Sequence, residues 1–133
     1  MVAEVAVDRK TGAVKVHNVW AAIDAGLAVQ PDNIAAQLEG AIVYTLGAVL
    51  SERVTMTGGA VEQSNFYDYN MPRLSDVPEI EVKVLSTPNA PTGIGEMGGN
   101  VTGAVANAVA SATGARVRHM PLTPERVLAA MRS

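Results

Sequence analysis

At 133 residues the chain has the size of one domain, since domains run to about 100–200 residues. With 48% apolar and 17% charged residues it can bury a core, which excludes general disorder. Ten Lys and Arg against thirteen Asp and Glu leave a net charge of −3, so the positive field that nucleic acid requires is missing, and with no cysteine the chain can form no disulfide, thiolate zinc site or cysteine-ligated iron–sulfur cluster.

From Val2 to Val7 apolar and polar residues alternate, Asp8 to Gly12 supplies turn chemistry, and alternation resumes from Val14 towards Ile23. This pattern predicts a β-hairpin. Pro31 suits a first helical turn and Asp32 its positive end, so a helix is expected from Asp32 to Leu50. Ile34, Leu38, Ile42, Leu46 and Val49 form one stripe, and further apolar residues around the cylinder predict a central, mostly buried helix. Gly40 and Gly47 each cost about 1 kcal/mol relative to Ala in a helix interior. Close approach of another backbone at both would offset that cost.

Thr57-Gly58-Gly59, flanked by Glu52–Met56 and Ala60–Gln63, reads as a second hairpin. Residues 64–78 lack a period and hold Phe66, Tyr67 and Tyr69, three of only five aromatics. They could line a substrate funnel, but their scarcity elsewhere favours covering the core. Ile80, Val82 and Val84 alternate with charged residues as a strand, Ser86 to Gly99 is loop-forming, and Val101, Val105, Val109 and Ala112 mark an Ala-rich helix ending at Gly114. A short strand over Val117–Leu122 and a helix opened by Thr123-Pro124-Glu125 complete the chain. The order predicts an α+β fold: antiparallel β-hairpins packed on a buried central helix, with an Ala-rich helix and a short C-terminal helix. No basic-then-apolar leader and no run near the eighteen or so apolar residues of a membrane span stand out. The chain as given therefore reads as soluble, without a membrane partner and cytoplasmic by default.

Gly93-Ile94-Gly95-Glu96-Met97-Gly98 has the spacing of a dinucleotide-binding loop, but Ser86–Thr92 intervene after the strand and no acid follows Glu96 until Glu125. More distinctive is one carboxylate among glycines, which would let a bulky ligand reach the backbone beside a single long side chain. Glu96 is thus a candidate general base, although composition alone favours a residue that merely starts the next helix. His17 and His119 stand apart from each other and from acid clusters, so no metal site held by protein side chains is expected.

Gln37-Leu38-Glu39-Gly40-Ala41, then Asn65-Phe66-Tyr67-Asp68-Tyr69 with Arg73, then Gly93-Ile94-Gly95-Glu96 and the Ala-rich helix resemble the C-terminal region of molybdenum hydroxylase large subunits. The chain is similar in particular to the isoquinoline 1-oxidoreductase β-subunit branch of the xanthine dehydrogenase and aldehyde oxidase family, and the resemblance runs from Val2 to Met131. Met97 departs from the pattern, since relatives often carry proline after the glutamate. The resemblance implies that residues 1–133 form a single domain, the C-terminal part of a molybdenum-cofactor-binding domain. It implies Glu96 as the base, with Gln37, Gly93, Gly95 and Gly98 beside a molybdenum-pterin cofactor in its cytosine dinucleotide form.

The implied reaction is hydroxylation of N-heterocycles or aldehydes with water-derived oxygen. Its partners would be the remainder of the large subunit and a separate iron–sulfur subunit that carries electrons away. The isolated chain is expected to be inactive, to hold no cofactor and to be prone to self-association. The competing expectation is a free-standing α+β interaction module without catalytic activity.

Overall fold

The computed structural model describes residues 1–133. In chain order it comprises β1 (Val2–Val7), β2 (Val14–Asp24), α1 (Pro31–Leu50), β3 (Met56–Thr57), β4 (Ala60–Val61), β5 (Glu79–Leu85), α2 (Val101–Thr113) and α3 (Pro124–Arg132). Single 3₁₀ turns lie at Leu74–Asp76 and Met97–Asn100. The fold is α+β, as the sequence pattern indicates.

The alternating segments at the start pair antiparallel, Val2 opposite Trp20 and Val7 opposite Val14. Register slips between Glu4 and Val5, which face Asn18 and Val16, leaving His17 as an extra residue on β2. That bulge resets the alternation, so Val16 and then Val19, Ala21 and Ile23 all turn into the core at 5% exposure or less. On its other edge β2 pairs in parallel with β5, from Asn18 opposite Glu79 to Asp24 opposite Leu85. The sheet order is therefore β1-β2-β5, with β2 central. The second hairpin forms but is short, with Met56 opposite Val61 and Thr57 opposite Ala60.

Helix α2 packs on β1 and α1 on β5, and both contribute to one continuous core. Helix α1 begins with Pro31 at its first turn, followed by Asp32, as its sequence predicts. Leu38, Ile42, Leu46 and Val49 are the buried stripe, each worth about 1.5–3 kcal/mol of transfer free energy. The rest of the cylinder is more open than its composition suggested: Gln37, Gly40 and Ala48 are exposed, as is Tyr44. Length and composition would let this helix cross a membrane, contrary to the sequence reading, but its stripe is committed to the core.

The two helical glycines differ. At Gly47 a Cβ would meet the Glu52 carboxylate and Pro72, whereas nothing lies within 4 Å of a Cβ at Gly40. Helix α2 ends where Gly114 takes a left-handed conformation, φ 79°, and Thr123 caps α3 by accepting the Arg126 N–H. The strand expected over Val117–Leu122 does not form. The segment pairs with no strand and is instead held by the Leu122 N–H donating to the Val49 carbonyl at 2.7 Å and by the Arg126 guanidinium donating to the Pro121 carbonyl at 3.0 Å.

Candidate functional site

After β5 the chain runs beside the β2–α1 connection. The Leu27 N–H donates to the Asn89 carbonyl at 3.0 Å and the Thr92 N–H to the Ala25 carbonyl at 2.9 Å, while Thr87 Oγ1 donates to Asp24 Oδ1 at 3.1 Å. These bonds deliver Gly93 and Gly95 to the N-terminal half of α1. There Gln37 Nε2 donates to the Gly95 carbonyl at 3.2 Å. One helical turn further along the same face, Gly98 is buried against Ala41, and a Cβ on Gly98 would lie 2.5 Å from that of Ala41. Only glycine lets the loop come this close.

Glu96 sits between these two supports, at the start of the Met97–Asn100 turn with φ −112° and ψ 23°. Its side chain makes no capping hydrogen bond and is exposed. The helix-start reading of Glu96 therefore gains no capping contact. The enclosed, dry setting expected for a base is also not built by these 133 residues. Gly93 and Gly95 have nothing within 4 Å of a Cβ position, so the backbone on the N-terminal side of Glu96 is open to a ligand.

Of the site residues read from sequence, Gln37, Gly95, Glu96 and Gly98 converge on one stretch of α1, with Gly93 just before them on the open part of the loop. Ala41 escaped the sequence reading, where it was only one more apolar residue of the helix. Its signal was small size one turn after Gln37.

The aromatic segment lies elsewhere. Ser51 Oγ donates to the Asn70 carbonyl at 3.0 Å, fixing residues 64–73 at the C-terminal end of α1, and Ala41 to Leu50 alone spans about 14 Å of helix. The expectation that these aromatics cover the core fails: Phe66 and Tyr67 are 77% and 83% exposed, because Val, Leu and Ile already fill the interior. Tyr69 alone is half-buried, donating to Glu52 Oε2 at 3.0 Å. The Glu52 carboxylate beside it holds the Tyr69 phenol above its ordinary pKa. Asp68 accepts the N–H groups of Ser64 and Asn65, at 2.8 and 2.9 Å, and those backbone donors hold its carboxyl below the usual aspartate value. A cavity of about 410 Å³ lined by Val16, Leu46, Leu50, Met71 and Pro78 shares no residue with the Glu96 loop.

A braced glycine loop presents one carboxylate free of capping bonds beside a helical glutamine of an α+β fold. Comparison with known proteins gives the chain a family. The family model described as the molybdopterin cofactor-binding domain matches residues 1–78, and the chain belongs to that family. It is 41% identical over 125 residues to isoquinoline 1-oxidoreductase subunit beta of Brevundimonas diminuta, covering 93% of this chain and 16% of that protein. It is also 41% identical over 128 residues to the membrane-bound aldehyde dehydrogenase (pyrroloquinoline-quinone) of Gluconacetobacter polyoxogenes, covering 96% and 17%. The crystal structure of quinoline 2-oxidoreductase from Pseudomonas putida 86 superposes with a TM-score of 0.87 at 28% identity, covering 97% of this chain and 18% of that one. The chain thus spans about a sixth of the length of the curated relatives it matches. It is a molybdopterin cofactor-binding domain of the molybdenum oxidoreductases, and relatives such as the Brevundimonas protein are named as single subunits of larger enzymes.

Proposed function

We propose that this chain is the C-terminal wall of the cofactor site in a molybdenum oxidoreductase that hydroxylates N-heterocycles or aldehydes with water-derived oxygen, and that Glu96 is its general base. The observation that carries this reading is the Glu96 side chain, free of capping bonds on a loop braced on both sides against α1. The residues present suit a large ligand: Gly93 and Gly95 offer open backbone, and Gln37 contributes an amide beside them. The bound molybdenum-pterin group, in its cytosine dinucleotide form, supplies the two-electron redox centre.

Gly93, Gly95 and Gln37 bind and orient that group, while Gly98 sets the depth of the loop against Ala41. Glu96 would accept, at its carboxylate, the proton released as the water-derived oxygen is transferred. Enclosing the site falls to the remainder of the large subunit, since a single open wall cannot bury a ligand that needs most of its surface covered. The isolated chain is accordingly inactive and cofactor-free. Electrons leave through iron–sulfur clusters outside these residues, which offer no cysteine thiolate to hold one, and we place those clusters in a separate subunit. The family match speaks against a free-standing interaction module.

The test is Glu96→Gln in the molybdenum-loaded enzyme that contains this chain. General-base catalysis contributes about 10²–10⁴-fold, so turnover should fall at least a hundredfold, about the lower bound of that range, while molybdenum content stays constant. Near-normal turnover, or a quinone in place of molybdenum in the purified enzyme, overturns the reading.

A further inference from the structure

Between Thr92 and Gly98 the chain runs through Gly93-Ile94-Gly95-Glu96-Met97, and two glycines in such a stretch give the backbone wide conformational freedom. A base on a loop of that kind is useful only when its geometry is held, since a displacement of about 1 Å can cost about a hundredfold in rate. Upstream the loop is stitched to the β2–α1 connection through Thr92, and downstream Gly98 is wedged against Ala41. The one hydrogen bond that reaches Gly93–Met97 from another part of the chain is the Gln37 amide donating to the Gly95 carbonyl. Gln37 projects from a helix whose neighbouring Leu38 and Ile42 are 2% and 0% exposed, so its base is rigid.

We infer that Gln37 is a positioning residue: its amide fixes the peptide immediately before Glu96 and so sets where that carboxylate points. This rests on Glu96 being the base, and it gives Gln37 a role through the protein backbone in addition to any contact with the cofactor. Gly98 and Ala41 form the second point of the same clamp. Two supports one helical turn apart hold the backbone on either side of Glu96 while leaving its side chain free of capping bonds.

The experiment compares Gln37→Ala, Gln37→Glu and Gln37→Lys. Alanine and glutamate remove the donor, and lysine keeps an N–H on a slightly longer stem. In this chain, backbone ¹⁵N order parameters over Gly95–Met97 should fall in the first two variants from the rigid value of about 0.85 towards the flexible range below about 0.6, because the Gly95 carbonyl loses the donor that holds its peptide. Order parameters within Leu38–Val49 should be unchanged, and lysine should restore part of the loop's rigidity. In the molybdenum-loaded enzyme the alanine and glutamate variants should lose turnover per bound molybdenum about tenfold or more, given the sensitivity of rate to placement, beyond any loss of molybdenum content. Unchanged loop order parameters overturn the inference. So does a fall in molybdenum content that accounts for the whole loss of turnover, because Gln37 would then serve the cofactor alone. If Glu96→Gln keeps near-normal turnover, the base reading fails by itself, and lower loop order parameters in the Gln37 variants would still establish the clamp.

Discussion

The phenol of Tyr69 donates to Glu52 Oε2, and the same carboxylate lies over Gly47, where a Cβ would come within 2.7 Å of its Cδ. Three residues thereby lock the C-terminal end of α1 to the 64–73 segment. With the phenol proton held by the carboxylate, the folded-state pKa of Tyr69 lies above the unfolded value of about 10. The stability it contributes is therefore complete below that unfolded value and is lost as pH rises through the folded one. An alkaline absorbance titration, taken as the difference between the native chain and Tyr69→Phe, should show a raised midpoint. Glu52→Gln should bring it back towards about 10, and an ordinary midpoint in the native chain would remove this bond from the account.

The loop glycines should separate by variant. Gly98→Ala drives a Cβ into Ala41 and should cost about 1–3 kcal/mol, as overpacking does. Gly95→Ala meets nothing within 4 Å and should change stability by less than about 0.5 kcal/mol. In the loaded enzyme, however, Gly95→Ala should lower molybdenum content, because the added methyl occupies the open side of the loop. Thermal unfolding of the two variants and metal analysis of the second are sufficient measurements. Equal melting temperatures for Gly98→Ala and the native chain would contradict the close packing.

Asp68 should act as an acid-sensitive fastening. Its folded pKa is depressed by the Ser64 and Asn65 N–H groups, so its contribution is present above the unfolded value of about 3.9 and disappears as pH falls through the folded one. Amide exchange at Ser64 and Asn65 should accelerate over that acid range while Leu38–Val49 remains protected. In Asp68→Asn the acid step should vanish. An equal step in that variant would assign it to another carboxylate.

Local chemistry was the readable part of this chain. Alternation marked β1, β2 and β5, Pro31 and Thr123 marked helix starts, and Gly114 marked a stop, because each of those signals acts within a few residues. Contacts between distant segments were not readable in the same way. Val117–Leu122 looks like a strand, yet the fold ties Leu122 to the end of α1 at Val49 instead of to the sheet. Gly40 and Gly47 are equivalent on a helical wheel, yet only Gly47 has a neighbour, supplied by Glu52 and Pro72.

The candidate site divides in the same way. Gln37, the loop glycines and Glu96 could be picked out one by one from motif resemblance. The bond from Gln37 to Gly95 joins positions 58 residues apart and has no local signature. The aromatic residues misled for a compositional reason: scarcity suggested a core role, but a core already filled by Leu38, Ile42, Val101, Val105 and Leu122 has no vacancy for Phe66 or Tyr67.

The parallel pairing of β2 with β5 has a practical consequence. The chain must leave the sheet after Asp24 and return at Glu79, and α1 together with the β3–β4 hairpin fills the excursion. The entropy of closing such an excursion grows only with the logarithm of its length, by about 0.6 kcal/mol per doubling. At the hairpin tip Gly58 and Gly59 have φ of 60° and 85° and nothing within 4 Å of a Cβ position. A fluorescent reporter or affinity peptide spliced between those two glycines would hang from the far end of the excursion, clear of both the sheet and the Glu96 loop.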